Sequence, residues 1–516
     1  MERELIIWLT IGAYILFMLI IGLLNARSAK GMTEFTVGGR NAGGWMSALS
    51  YGTAYFSAVM FIGYAGKSGW SYGMWSILVG VGNAVFGSLL AWIVLAKRTR
   101  ETTRRLKIKS MPQLFAKRFN SEAMKMFAVA IIFVFMLPYS ASVYKGLTSV
   151  CSVLLKVDET LCMIVIAAVS ALIVVLGGYM AQLKADFVQG IIMLVGVVAL
   201  IIAIVRCDTV GGLTAGLTAL AAETENLNLS ISDHIGLWAT VLMTSFGTWG
   251  LPQMVHKYYG IRDNHEVRRG TIVSTVFALV VAGGGYFIGS FAHLFFTKLP
   301  SPPSGGAGHP DYLIPNMLSQ AGLPTILLGV VLVLLVAASV STLSSITITS
   351  SSTFTMDFLT TKVWKNMSSQ KAALLTKCIC VLFIALSYII ANTNTPILDM
   401  MSYSWGVISG SFLAPYMVSL YWKKLNRAGG WASMLGGFFT ALPPLVCMLF
   451  FPNATLPLFG KVANLGPHFA CLAILVSFTL CFVVSKIAAA AGLKSAEENT
   501  SFYAEEEPEK VLQNAI

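Results

Sequence analysis

Apolar stretches of nearly constant length run through the whole chain. The hydrocarbon core of a bilayer is about 30 Å thick, so a helix needs about 20 apolar residues to cross it. Because backbone polar groups in lipid must be satisfied within the segment, each stretch is predicted to be a helix. We therefore expect an all-α polytopic membrane protein with about 13 transmembrane helices. The predicted spans are 5–24, 45–66, 72–96, 126–150, 160–180, 186–205, 236–256, 272–297, 324–348, 373–392, 396–421, 431–451 and 467–489.

The composition excludes a water-soluble globular protein. Hydrophobic residues make up 56% of the 516 residues and charged residues only 11%, whereas soluble domains carry about 25% charged residues. A net charge of +12 is otherwise typical of proteins that bind nucleic acids. Here the basic residues fall between apolar spans, so we expect no nucleic-acid partner, and the lipid bilayer is the predicted environment.

The positions of the basic residues predict the orientation of the chain. If the N-terminus is outside, most of the 35 Lys and Arg residues lie in loops on the inner side, as the positive-inside rule requires. We expect a multi-pass protein of a cell membrane, such as the bacterial inner membrane, with its C-terminus in the cytoplasm. The basic residues predicted on the outer side are Arg3, Lys67, Lys156, Arg206, Lys298 and Lys461.

Two of the predicted spans contain residues that interrupt a helix. Gly52 lies in the second span, and Gly247, Gly250 and Pro252 lie in the seventh. Irregular backbone at membrane depth is tolerated only where it lines protein or water, and transporters place their binding sites at such breaks. Alternatively, these glycines serve close helix packing. The spacing of the two breaks favours two repeats of five helices, each beginning with a broken helix.

This hypothesis divides the chain into a membrane domain and a short tail. The tail is acidic and too small to be a signalling domain. The predicted parts are a transmembrane transporter domain at 1–493, with a first span at 5–24, core repeats at about 45–205 and 236–421 and accessory spans at 431–451 and 467–489, and an acidic cytoplasmic tail at 494–516.

One helical face of the ninth span carries Ala338, Ser341 and Thr342, within the run AASVSTLSSITITSSS. Positions i, i+3 and i+4 of a helix point the same way. Uncharged hydroxyl and carbonyl oxygens suit a weakly held hard cation. The alternative is that both hydroxyls bond back to carbonyls of their own helix.

The sequence resembles the sodium:solute symporter family over nearly its whole length. Five stretches carry the resemblance. They are EFTVGGRNAGGWMSALSYGTAYFSA (34–58), GGYMAQLKADFVQG (177–190), GLPQMVHKYYGIRDNHEVRRG (250–270), AASVSTLSS (337–345) and SYSWGVISGSFLAPYMVSLYWKK (402–424). The third stretch is similar to the pantothenate-transporting branch of the family. The resemblance implies a LeuT-type fold, which is built from two inverted repeats of five helices.

The resemblance also implies a sodium ion, the coupling ion, between the second and ninth spans. The main-chain carbonyls of Thr53, Phe56 and Ala338 and the hydroxyls of Ser341 and Thr342 are the implied ligands. Asp186 stands where the family carries an acid linked to sodium-dependent transport, although an N-cap at the inner interface is an equal alternative. Members with a second sodium have a serine where this chain has Ala338, so we expect one sodium per solute.

A solute cavity is expected between the two broken spans and the fourth span. Pockets of this kind are mostly apolar, with a few placed polar groups. Tyr55 replaces an aspartate of the proline branch, and Thr244 and Thr248 replace aromatic residues of that branch, so proline is not the implied solute. Trp405 and Lys145 are further candidates, Lys145 either attracting an anion or reaching the outer headgroups. The predicted solute-binding residues are Tyr55, Ser57, Tyr139, Thr248, Trp249, Gln253 and Ser404.

These features together predict a sodium-coupled symporter of a small organic solute, of carboxylate, vitamin, amino-acid or sugar type, working by alternating access. A proton-coupled transporter that uses Asp186 and a transporter-like membrane sensor are the alternatives. No catalytic motif lies at membrane depth, so we do not expect an enzyme. The sequence indicates no obligate protein partner.

Overall fold

The computed structural model describes residues 2–25, 32–37, 40–303, 305–393, 395–493 and 502–503. Within these residues, nine helical runs are long and apolar enough to cross a membrane. Helical segments cover every predicted span, and several of these spans consist of two or more segments. The all-α, multi-pass prediction is therefore confirmed, and the number of 13 spans stays a prediction.

Ten α-helices lie within the described residues of the first half of the chain. They are α1 (Glu2–Asn25), α2 (Met32–Val37), α3 (Gly44–Tyr55), α4 (Gly66–Tyr72), α5 (Ile77–Gly82), α6 (Lys97–Arg105), α7 (Met111–Phe119), α8 (Glu122–Leu155), α9 (Glu159–Arg206) and α10 (Leu213–Asn226). The chain between α3 and α6 also contains π-helical segments and one 3-10 turn. These are Val59–Ala65, Asn83–Leu90 and Trp92–Ala96, and the turn is Gly73–Ser76.

The second half is organised in the same way and ends in a helical hairpin. Its helices are α11 (Ile231–Phe246), α12 (Pro252–Tyr259), α13 (Asn264–Ser290), α14 (Ala292–Phe295), α15 (Leu313–Gln320), α16 (Thr325–Thr353), α17 (Ser369–Ala391), α18 (Ile397–Tyr421), α19 (Arg427–Ala441), α20 (Pro443–Phe450) and α21 (Gly466–Ala490). Short 3-10 turns lie at Gly247–Gly250, Pro310–Tyr312 and Val462–Asn464, and a π-helical segment at Phe354–Val363 extends α16. The strands β1 (Thr455–Leu456) and β2 (Gly460–Lys461) pair antiparallel between α20 and α21.

The break in the second span lies at Phe56 and Ser57, and its prediction at Gly52 is wrong. Helix α3 runs through Gly52, whose carbonyl accepts the Phe56 N–H at 2.9 Å. The helix ends there because the Ser57 hydroxyl accepts the N–H of Val59 at 3.2 Å, which offers the backbone an alternative to continuing the helix. Gly52 serves packing instead, since a Cβ at this position would lie 2.3 Å from the Phe277 ring.

The break in the seventh span lies where the sequence predicted it. Helix α11 passes into the 3-10 turn Gly247–Gly250, and Leu251 then adopts an extended conformation with φ −77° and ψ 123°. Pro252 begins α12 at a position that needs no backbone N–H donor. Two of the predicted spans are thus broken helices, one in each predicted repeat.

The two spans predicted at 160–180 and 186–205 both lie in α9, which consists of two helices that meet at a kink at Gly178. Gly178 lies inside it with φ 58° and ψ −165°, values that a residue with a side chain rarely adopts. Asp186 follows this kink and is a residue of the helix interior.

Helix α16 lies at the centre of the molecule. It packs against α1, α3, α8 and α9. In its most apolar stretch of 18 residues, 83% of the residues are buried inside the protein. A second group forms at the periphery, where α18 packs against α19 and α21. The backbones of α18 and α19 are in direct contact there. A Cβ on Gly437 would lie only 1.8 Å from the Gly410 carbonyl oxygen.

Two residues of the predicted cytoplasmic tail, Phe502 and Tyr503, lie against the helical domain. The Tyr503 hydroxyl donates to the Ser419 carbonyl at 2.5 Å, and Arg105 donates to the Phe502 carbonyl at 2.5 Å. The Arg118 guanidinium lies 5.1 Å from the centre of the Tyr503 ring. The remainder of the tail prediction, 494–501 and 504–516, falls outside the described residues.

Candidate functional site

The hydroxyl face of α16 lies directly against the end of α3. Ser341 Oγ is 2.9 Å from Thr53 Oγ1, and the Thr342 hydroxyl is 3.1 Å from the Thr53 carbonyl oxygen. All three residues are buried. The two spans that the sequence predicted to share a site are therefore in contact at the predicted residues.

Thr342 Oγ1 is the centre of a group of carbonyl oxygens. The carbonyls of Ala338 and Ala54 lie 3.0 and 3.4 Å from it, in addition to that of Thr53. A hydroxyl has one proton, so it cannot satisfy three acceptors together. Its back-bond to Ala338, the alternative considered from the sequence, exists and coexists with the contacts to α3. The break after Tyr55 explains why carbonyls at the end of α3 accept from another helix.

The two remaining predicted ligands, Ala338 and Phe56, differ in how they contact the site. The Ala338 carbonyl takes part through Thr342. Phe56 lies at the break itself, and the described contacts join its ring to Tyr55, at 4.1 Å between ring centres, and to Phe277. They do not join Phe56 to Ser341 or Thr342. The hydroxyl and carbonyl oxygens around Thr342 are uncharged, and this chemistry fits a monovalent hard cation.

Asp186 lies at the same site. Its carboxylate accepts from Ser341 at 2.7 Å through Oδ1 and from Ser50 through Oδ2, and its side chain is fully buried. The residue is interior to α9, so the alternative in which it caps a helix at the inner interface is wrong. A buried carboxylate is costly unless it is paired.

Lys257 provides that pairing. Its Nζ lies 3.2 Å from Asp186 Oδ2, and the two side chains are 2% and 0% exposed. Lys257 directly follows the predicted span 236–256, so the charge pattern predicts an inner-loop residue and gives no sign of this pairing. The available signal was a basic residue five positions after Pro252, inside the second half of a broken span.

Five of the seven predicted solute-binding side chains are bonded within the protein. The Tyr55 hydroxyl donates to the Thr244 carbonyl at 2.5 Å, and the Trp249 indole N–H donates to the Phe86 carbonyl at 3.0 Å. Thr248 bonds back to its own helix. Ser57 accepts from Val59, and Ser404 donates to Phe135. Tyr55, Ser57, Thr248 and Trp249 thus bond to main chain at or near the two breaks, and Ser404 joins α18 to α8.

Tyr139 and Gln253 differ from the other five. Both amide atoms of Gln253 are buried without a hydrogen-bond partner among the described residues, and so are the Tyr139 hydroxyl and the Trp405 indole N–H. The Tyr139 and Trp405 rings are 5.5 Å apart, edge to face, and Tyr55 lies 6.3 Å from Trp405. Since buried polar groups are normally bonded, these side chains are the best candidates for contact with a solute.

A separate cavity of about 330 Å³ lies beside the loops that the charge pattern places outside, and Lys145, Glu159 and Asp311 are among the residues that line it. The Lys145 ammonium donates to the carbonyls of Thr393 and Thr395, at 2.5 and 2.8 Å. The ammonium is thus bonded to the main chain, and its action on an anion or on the outer headgroups stays a prediction. Burial raises the pKa of the Asp311 carboxyl above its ordinary value.

Relatives of the chain are known transporters. It is 26% identical over 456 residues to the osmoregulated proline transporter OpuE of Bacillus subtilis, an alignment that covers 86% of this chain and 89% of the relative. It is also 26% identical over 494 residues to a sodium/proline symporter of Staphylococcus aureus, covering 93% and 92%. The likeness of 250–270 to the pantothenate-transporting branch stays a prediction.

Solved structures share the fold. A Na+-coupled sialic acid symporter superposes with a TM-score of 0.74 at 17% identity, over 93% of this chain and 97% of the other. The nucleobase-cation-symport-1 transporter Mhp1 superposes with a TM-score of 0.53 at 11% identity, over 91% and 98%. The LeuT-type fold is confirmed. A model described as the sodium:solute symporter family matches residues 35–437, and this chain belongs to that family.

Proposed function

We propose that this symporter couples its solute to sodium at the contact between α3 and α16. The carbonyl of Thr53 and the hydroxyls of Ser341 and Thr342 are its central ligands, and the carbonyls of Ala338 and Phe56 are the remaining proposed ligands. Family membership makes the chain a sodium-coupled transporter of a small solute and not an enzyme. The observation that carries the site is the convergence of uncharged oxygens where α3 breaks.

The charges around the site favour a monovalent ion. Asp186 is already paired with Lys257 at 3.2 Å, so the pair adds no net charge to the neutral oxygens. A divalent cation would need carboxylates of its own. Neutral oxygens hold sodium weakly enough for release into a cytoplasm that is poor in sodium. One sodium per solute is proposed, since Ala338 has no hydroxyl with which to build a second site.

The proposed solute is small and carries hydrogen-bonding groups on an apolar body. Gln253, Tyr139 and Trp405 offer neutral donors and acceptors that the described protein leaves unused, and the rings of Tyr139 and Trp405 offer apolar contact. A neutral or zwitterionic solute suits such a set better than one with a large net charge. The names of both relatives specify proline, which is therefore the first compound to test.

The proposed orientation places the N-terminus outside and the C-terminus in the cytoplasm of a bacterial cell. The charge asymmetry of the loops supports this orientation. Alternating access then exposes the site between α3, α11, α12 and α16 to each side in turn.

Uptake into proteoliposomes tests the coupling. Purified protein is reconstituted, and accumulation of labelled proline, other amino acids, monocarboxylates and sugars is measured under an inward sodium gradient. We expect accumulation of one solute class that disappears when potassium replaces sodium. Accumulation that survives this replacement and follows an inward proton gradient would establish the proton-coupled alternative instead.

A further inference from the structure

Lys257 is buried inside the protein, where a charged side chain is costly unless it is paired. Its side chain is 2% exposed, and its ammonium is bonded to Asp186, which is itself fully buried. Lysine and aspartate are almost never fully buried unless they are paired. The pair joins residues that are 71 positions apart in the chain.

Asp186 connects Lys257 to the proposed sodium ligands. One carboxylate oxygen accepts from Ser341 at 2.7 Å, and Ser341 lies 2.9 Å from Thr53 Oγ1. The other carboxylate oxygen accepts from Ser50 and from Lys257. A single carboxylate thus links α3, α9, α12 and α16, the helices that carry the site and the inner half of the second break.

The charges of this cluster determine how strongly it attracts a cation. An unpaired buried carboxylate next to Ser341 would draw any small cation strongly, because charges interact far more strongly inside a protein than in water. The ammonium of Lys257 cancels that field from a distance of 3.2 Å. A sodium ion at Ser341 and Thr342 therefore meets neutral oxygens and a neutral pair.

We propose that Lys257 is the internal counter-cation of Asp186 and that it keeps sodium affinity low enough for release. This inference rests on the proposed sodium site. It makes Lys257 a positioning residue, which acts on sodium through Asp186 and not by contact. A purely structural ion pair would affect the stability of the fold and leave the sodium dependence unchanged.

The effect of Lys257 on sodium affinity can be measured directly by a sodium titration in the absence of solute. The unfolding temperature of the purified full chain is followed as sodium chloride replaces potassium chloride at constant ionic strength. We expect Lys257→Met to lower the half-saturating sodium concentration at least tenfold, because sodium becomes the only counter-ion of Asp186. Lys257→Arg keeps the charge and is expected to stay within threefold of the native protein.

Two further variants keep the inference testable if Lys257→Met does not fold. Asp186→Asn alone leaves the lysine charge uncancelled, so we expect half-saturation at a sodium concentration at least tenfold higher. Asp186→Asn combined with Lys257→Met removes both charges and should return the value to within about threefold of the native one. Equal effects of the single and the double change on sodium binding would overturn the inference, as would a Lys257→Met protein with unchanged or weaker sodium binding.

The failure of this inference can be distinguished from the failure of the proposed function. If the native protein gains no stability from sodium over potassium, the sodium site itself is wrong. If sodium stabilises the native protein and Thr342→Val needs a sodium concentration at least tenfold higher for the same effect, the site is correct. A Lys257→Met protein that then titrates like the native one refutes only the role given to the lysine.

Discussion

Replacing Thr342 by valine tests the proposed sodium site with the smallest change in shape. The variant removes one hydroxyl and keeps a branched side chain of similar size. In the native structure this oxygen is within 3.0 to 3.4 Å of the carbonyls of Ala338, Thr53 and Ala54. Valine leaves the carbonyls in place and removes the oxygen at their centre.

The size of the effect follows from the chemistry that is lost. A neutral group that bonds to a charge contributes about 1.5 to 3 kcal/mol, and each 1.4 kcal/mol is about tenfold in affinity. We therefore expect Thr342→Val to raise the half-saturating sodium concentration by about 10- to 150-fold. The fold itself should lose only about 1 kcal/mol, the net value of a hydrogen bond within the protein.

The assay is a sodium titration of solute uptake in proteoliposomes, repeated as thermal stabilisation of the purified protein. Ser339→Ala is the matched control, since Ser339 is as buried as Thr342 but its hydroxyl bonds to the Leu335 carbonyl of its own helix at 2.8 Å. Ser341→Ala should resemble Thr342→Val. Equal sodium dependence in Thr342→Val and Ser339→Ala would refute the ligand assignment.

Three other changes test the fold, the solute site and the outer cavity. Gly52→Ala should lower stability by about 1 to 3 kcal/mol, because its Cβ would lie 2.3 Å from Phe277, whereas Gly12→Ala meets nothing within 4 Å; equal unfolding temperatures would contradict this. Tyr139→Phe removes a buried hydroxyl that has no hydrogen-bond partner among the described residues, so the unfolding temperature should hold while the solute KM rises about two- to tenfold, since one hydrogen bond contributes about 0.5 to 1.5 kcal/mol; an unchanged KM would exclude Tyr139 from the solute site. Burial raises the pKa of Asp311, so the folded protein binds this proton more tightly than the unfolded chain and loses stability as pH rises through the raised value; Asp311→Asn should flatten the unfolding temperature between pH 4 and 7, and an equally steep curve would contradict it.

Much of the architecture could be predicted because the bilayer restricts the chain so strongly. Apolar length alone placed the helices, and the break after Gly247 followed from glycine and proline in an apolar run. The approach of Thr53 to Ser341 came from the family resemblance, and the structure places them 2.9 Å apart.

The predictions for Gly52 and Lys257 failed because the same residue type has different structural roles in different surroundings. Gly52 marked a break in the sequence analysis, but in the structure its missing Cβ makes room for Phe277. The true break depends on Ser57, whose hydroxyl competes for a backbone N–H, and serines that do this look like any other serine in a sequence. The burial of Lys257 could not be predicted, because its partner Asp186 lies on another helix, 71 positions away in the chain.

The contact of α18 with α19 and α21 limits which parts of the protein can move during transport. At Gly410 and Gly437 the two main chains meet with no side chain between them. Such a junction leaves no layer of flexible atoms over which one helix could slide or tilt past the other. We therefore expect α18 and α19 to turn together, so that the proposed site opens by displacement of α3, α11, α12 or α16 against them.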